Sequence, residues 1–150
     1  LAMMGLERAM VKPMNVVDVG TGSGILAIAA SKLGATDVLA TDISDESMTA
    51  AKQNAALNDI NNIHTQKTSL LADVKGKFDI IVANILAEIL LDLIPQMDSH
   101  LNDDGQVIFS GIDYLQLPKI EKALDENGFK VDLNMRQGRW IGLAITRKEK

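Results

Sequence analysis

The stretch Asn15-Val16-Val17-Asp18-Val19-Gly20-Thr21-Gly22-Ser23-Gly24 constrains this chain more than any other. A short apolar run ends in three alternating glycines. The helical pattern Gly24-Ile25-Leu26-Ala27-Ile28-Ala29-Ala30-Ser31-Lys32-Leu33 follows at once, and Gly34 is placed to end it. A buried strand, a tight turn and a buried helix are therefore expected in immediate succession. That unit calls for a parallel sheet covered by helices.

The rest of the chain repeats the alternation. Leu6–Val11 reads as the end of a helix stopped by Pro13. Asp37–Thr41 reads as a second strand, and Asp45 as the N-cap of a helix carrying Met48, Ala51, Ala55 and Leu57. Ile63–Lys67 is a third strand and Phe78–Ala83 a fourth. Leu86–Leu101 reads as one helix kinked at Pro95, with Leu90, Leu93, Ile94 and Met97 facing inward. Gln106–Ser110 is a fifth strand. Leu117–Glu126 is a helix ended by Asn127-Gly128. Phe129–Met135 and Trp140–Thr146 flank the turn Gln137-Gly138-Arg139 as an antiparallel hairpin. The expectation is a doubly wound α/β domain with a mostly parallel sheet and helices on both faces. Ligands of such sheets bind at the carboxyl ends of the strands, where the strand order reverses.

Three features fall at those ends. The glycines at 20, 22 and 24 remove side chains where backbone must approach a ligand. The helix behind them aims its free N–H groups and the positive end of its dipole at the same place, which suits a carboxylate or a diphosphate. Asp42 stands 22 residues after Gly20 at the end of the second strand, where a carboxylate accepts hydrogen bonds from ribose hydroxyls. Asn84 ends the fourth strand. Its amide oxygen can accept a hydrogen bond from a substrate amine, or its side chain can cap the next helix. Asp18 is read as an organiser of the glycine loop. The spacing is G-x-G-x-G, with Ile25 where a dinucleotide fingerprint needs a small residue. That disfavours NAD.

Other classes are excluded or disfavoured on composition. The 150 residues make one domain, 47% of them apolar and 23% charged. The net charge of −5 and the lack of a Lys/Arg cluster argue against direct nucleic-acid binding. There is no cysteine, and the two histidines are far apart in sequence, so no metal site is expected. The cysteine count fits a reducing cytoplasm. No apolar run approaches the roughly 18–20 residues of a membrane span. Ser23 lacks the surroundings of a nucleophile elbow. The methionines read as core filler, and Trp140 as a core or cleft-wall residue.

The run from Val17 to Ala30 resembles the first motif of class I S-adenosylmethionine-dependent methyltransferases. Val82-Ala83-Asn84-Ile85-Leu86-Ala87 resembles the active-site motif of the PrmA family within that class. Ser110-Gly111-Ile112, Asn127-Gly128-Phe129 and Trp140 are similar too. The resemblance covers nearly the whole chain. It implies a seven-stranded sheet in the order 3-2-1-4-5-7-6 with strand seven antiparallel. It implies S-adenosylmethionine as cofactor, held by Asp18, Gly20, Thr21, Gly22, Gly24, Asp42, Ile43, Ser69 and Asn84, with Asn84 also catalytic. Many class I enzymes place an acidic residue beside the adenine after strand three, whereas this chain has Thr68-Ser69-Leu70, which leaves the Ser69 hydroxyl or backbone. The implied reaction is methylation of lysine side chains and an N-terminal amine of the ribosomal protein at the large-subunit stalk base. The alternatives are a methyltransferase for RNA or a small molecule, and a NAD-binding domain. The family carries an N-terminal substrate-recognition domain, and none is expected within residues 1–150, which read as a catalytic domain alone. Acidic residues often precede the tryptophan in the family, whereas Gly138-Arg139 stands here.

Overall fold

A computed structural model describes residues 1–149. Its helices are α1 (Ala2–Ala9), α2 (Ile25–Lys32), α3 (Asp45–Leu57), α4 (Ala87–Leu93) and α5 (Leu117–Glu126). Its strands are β1 (Asn15–Val19), β2 (Asp37–Asp42), β3 (Ile63–Lys67), β4 (Phe78–Asn84), β5 (Leu101–Asp113), β6 (Phe129–Gln137) and β7 (Trp140–Arg147). They form one sheet in the order β3-β2-β1-β4-β5-β7-β6. The first five strands of that sheet are mutually parallel, and β7 runs antiparallel to both β5 and β6. The expected architecture and strand order are both present.

Both faces of the sheet are buried, as parallel strands require. Side chains alternate between the faces with period two. Val17, Val19, Ile81, Ala83, Val107 and Phe109 face a core completed by α4 and α5. Val16, Ile80, Val82 and Ile108 face a second core completed by α1 and α2, including Leu6, Ala27 and Ala30. Asp18 belongs by register to this second face. It is the one charged side chain among the buried polar residues of the described chain.

Several details of the elements differ from the sequence expectation. Ser44, not Asp45, is the N-cap of α3, its hydroxyl accepting from the Ser47 N–H at 3.2 Å. Asp45 lies in the first turn, where its charge favours the helix dipole. Leu57 is 80% exposed at the end of α3, outside the apolar face. The expected helix Leu86–Leu101 is instead α4 followed by two 3-10 turns, Ile94–Gln96 and Asp98–His100. Pro95 has no N–H to give the carbonyl four residues back, so the α-helical ladder stops before it. The tighter turns still bury Ile94 and Met97. Strand β5 begins at Leu101, five residues earlier than expected, through the polar run Asn102-Asp103-Asp104-Gly105. No helix among the described residues is long and apolar enough to cross a membrane.

Candidate active site

The carboxyl ends of β1, β2, β4 and β5 open onto a two-lobed cleft. One lobe, of about 580 Å³, is lined by Gly20–Ser23, Ile25, Leu26, Asn84, Ser110, Gly111 and Trp140 among others. The other, of about 450 Å³, is lined by Asp42, Ile43, Thr68, Ser69, Leu70, Ile85 and Ile89 among others. Gly20 lines both. Each lobe has the size usual for small-molecule sites.

Gly20, at φ +73°, turns the chain out of β1. A Cβ there would lie 2.6 Å from Cγ2 of Ile85, so only glycine lets the Asn84-Ile85 corner close over the loop. Gly24 serves a different contact. At φ +88°, its missing Cβ would meet the Ala51 Cα and Cβ at 3.2 Å, so it admits α3 against the start of α2. The close-packing role expected of the next position is thus filled by Gly24. Ile25 is instead 58% exposed and faces the cleft.

The loop amides are already taken. The N–H groups of Gly20 and Thr21 donate to the Thr41 carbonyl at 2.9 and 2.8 Å. The Gly22 N–H donates to Asp42 Oδ2 at 3.1 Å. These three donors tie the loop to the end of β2 rather than facing a ligand. The open donors are those of the first turn of α2, at Ile25 and Leu26, as at any helix start. Asn54 of α3 adds a further tie, donating to the Ser23 carbonyl at 2.7 Å.

Asp42 is fixed from both sides. Its Oδ1 accepts from the Ser44 N–H at 3.1 Å while Oδ2 holds Gly22. A carboxylate oxygen has two lone-pair directions, so each oxygen keeps acceptor capacity towards the cleft. Ile43 is exposed beside it, and Ser69 faces the same lobe.

Asp18 lies beneath the loop, out of the cleft. The Thr21 hydroxyl donates to its Oδ2 at 2.8 Å, so the Thr21 side chain also points inward. Asp18 Oδ1 has no hydrogen-bond partner among the described residues. Burial pushes the Asp18 pKa up to about 6, with the Thr21 hydrogen bond opposing the rise. Asp18 shapes the loop from below through Thr21, whose hydroxyl is turned to it while the residue itself lines the larger lobe.

Asn84 does not cap α4. The N-cap is Leu86, with no side-chain hydrogen bond. The Asn84 side chain is exposed in the larger lobe. Its Oδ1 lies 2.7 Å from where a Cβ on Gly111 would stand. Gly111 has φ +77° and sits at the register shift between β5 and β7. Gly111, which the sequence alone marks only as part of the run Ser110-Gly111-Ile112, makes room for Asn84. A glycine inside a strand run, a usual mark of a bulge or a close approach, was the available signal.

Trp140 stands at the lip of the larger lobe, 48% exposed, as a cleft-wall residue. The Arg139 guanidinium lies 5.5 Å from its ring centroid and pairs with Asp113, Nε to Oδ2 at 3.0 Å. The hydrogen bond from Arg139 holds the Asp113 carboxyl below the usual carboxylate range. The basic residue at this turn is therefore matched locally by an acid on β5.

A family model, Ribosomal protein L11 methyltransferase (PrmA), matches residues 1–148. The chain belongs to the PrmA family. A curated PrmA relative, the ribosomal protein L11 methyltransferase of Lactobacillus acidophilus, is 87% identical over 150 residues, covering all of this chain and 48% of its own length. A more distant one, from Limosilactobacillus fermentum, is 43% identical over 95% of this chain and 45% of its own. The crystal structure of ribosomal protein L11 methylase from Lactobacillus delbrueckii subsp. bulgaricus superposes with a TM-score of 0.98 at 81% identity, over 99% of this chain and 77% of that one. The chain thus spans about half the length of the curated PrmA relatives it matches. The PrmA motif Asn84-Ile85-Leu86-Ala87 now has a geometric sense. Asn84 enters one lobe, Ile85 closes over Gly20, and Leu86-Ala87 start α4.

Proposed function

We propose that this chain is the catalytic domain of an S-adenosylmethionine-dependent protein methyltransferase. Its substrate is the ribosomal protein L11 named in its relatives' descriptions, the protein of the large-subunit stalk base, modified in the cytoplasm at lysine side chains and its N-terminal amine. The observation that carries the reading is the division of one cleft at Gly20, with Asp42 in one lobe and Asn84 in the other.

The donor set fits the cofactor. Asp42 keeps acceptor capacity for the ribose hydroxyls, Ile43 and Ser69 flank the adenine lobe, and the first turn of α2 suits the methionine carboxylate. Gly20 and Gly22 leave the approach free of side chains. S-adenosylmethionine, when bound, supplies an electrophilic methyl group on a sulfonium. Asn84 Oδ1 then accepts a hydrogen bond from the substrate amine and orients its lone pair. Trp140 at the lip shields the amine from water. Holding the amine in line is the main service of these residues, because such positioning is worth several kcal/mol of barrier.

Thermal melts of the chain with S-adenosylmethionine, S-adenosylhomocysteine and NAD in turn test the cofactor. A ligand at 100 times its Kd adds about 2.7 kcal/mol of stability. The first two raise the Tm and NAD does not; no shift with either of the first two refutes the reading. Transfer of labelled methyl groups by the full-length protein to ribosomal proteins, with rRNA as the alternative acceptor, tests the substrate.

A further inference from the structure

The loop at 69–71, Ser-Leu-Leu, brings no acid to the second lobe. The second lobe has an acid on its opposite wall. Asp92 of α4 lines the same cavity as Ser69, Leu70, Ile43, Ile85 and Ile89. Helical spacing explains its direction. Ala87, Leu90 and Leu93 are buried against the sheet, whereas Ile89 and Asp92, three apart, share the face towards the lobe. The Asp92 carboxylate has no hydrogen bond or ion pair among the described residues and is exposed.

The two walls are held together. Gln96 Oε1 accepts from the Leu71 N–H at 3.0 Å, and Gln96 Nε2 donates to the Asp92 carbonyl at 3.2 Å. One side chain thus joins the 69–71 loop to the end of α4. Within that loop Leu70 is kept at φ +53°, a conformation costly for a leucine. Strain of this kind persists where surrounding structure over-determines the backbone, and it clusters at binding sites. The lobe therefore has apolar isoleucines for a flat ring and, on α4, a carboxylate free to accept a hydrogen bond, on backbone that Gln96 ties to the loop.

We infer that Asp92 accepts a hydrogen bond from the exocyclic amine of the cofactor's adenine and is the residue that sets purine specificity. This rests on the cofactor reading above. A purine with a carbonyl in place of the amine would set two acceptors against each other. Sites built for a donor reject analogues that lack it. A hydrogen bond to a charged acceptor is worth a factor of about ten in affinity.

The test is calorimetric titration of the full chain, wild type and Asp92→Asn, with S-adenosylhomocysteine and with S-inosylhomocysteine. The wild type should bind the adenosyl compound about tenfold more tightly. Asp92→Asn should reduce that preference to within about threefold, because a carboxamide can also donate to a carbonyl. The ligand-free Tm should stay unchanged, since the Asp92 side chain holds nothing else in place. Equal binding of both compounds by the wild type overturns the proposal, as does a preference that survives in Asp92→Asn. Wild type that binds neither compound refutes the cofactor reading itself, and that result is separable because it appears before any substitution is made.

Discussion

Asn84 and Gly111 face each other across the carboxyl ends of β4 and β5, and a Cβ at Gly111 would stand only 2.7 Å from Asn84 Oδ1. Gly111→Ala would therefore push the amide off its position. It would also place alanine at φ +77°, which costs about 1 kcal/mol. Displacement of about 1 Å at a reacting group can cost roughly 100-fold in rate. Methyl-transfer kinetics should show kcat lowered by about that factor. Titration with S-adenosylhomocysteine should show little change in Kd. A Kd that rises in step with the loss of kcat would mean that Gly111 serves the cofactor lobes and not Asn84.

Asp42 joins cofactor binding to loop order. Its two oxygens hold Gly22 and Ser44 before any ligand arrives. Asp42→Ala should lower stability by about 2 kcal/mol through loss of two charge-assisted hydrogen bonds. It should also remove most of the Tm rise given by S-adenosylhomocysteine. Denaturant titration measures the first effect and ligand melts the second. A variant that keeps the full ligand shift would exclude Asp42 from the ribose site.

Asp18 gives the fold a pH dependence of known sign. Its carboxyl has a raised pKa of about 6 in the fold, against 3.8 as the ordinary value. The folded state therefore binds the proton more tightly than the unfolded state. The stability this provides is fully present below about pH 4 and is lost as pH rises through 6. Two pKa units correspond to about 3 kcal/mol. Urea unfolding of wild type and Asp18→Asn across pH 4 to 8 should show the variant gaining relative stability from pH 4 to 6, then holding it. A difference independent of pH would mean that Asp18 is solvated in the native protein.

Much of this was legible in the sequence because the signals were local. The glycine turn, Asp42 and Asn84 each mark a strand end, and alternation of strands with helices leaves few ways to connect them. The register that brings Asn84 beside Ser110 joins residues 26 positions apart, and no local pattern encodes it. For the same reason Gly111 and Asp92 were not recognised, since their meaning lies in what they face across the cleft. The partners of the glycine-loop amides are non-local in the same way. A loop sequence shows which donors are free of side chains, but only the fold shows that the Thr41 carbonyl takes two of them. Helix α4 was overextended because the buried pattern at Leu90, Leu93, Ile94 and Met97 continues past Pro95 in 3-10 turns, which keep apolar spacing without an α-helical ladder.

A final prediction separates stability from the site. Asp59 follows the C-cap of α3 at φ +56°, and the Ile60 N–H closes the motif on the Ala55 carbonyl at 3.0 Å. Glycine is the preferred residue at such a position. Asp59→Gly removes the left-handed strain, and it removes an acid from the negative end of the helix dipole. It also adds freedom to the unfolded chain, which offsets part of the gain. The net expectation is about 0.5–1 kcal/mol of added stability, or a rise of roughly 1–4 °C in Tm for a chain of this size. Asp59 is exposed and lines neither lobe of the cleft. The further Tm rise on adding S-adenosylhomocysteine should therefore equal that of the wild type. A smaller ligand shift would show that the end of α3 is coupled to the loop through Asn54 and Ser23, the contact that joins the two.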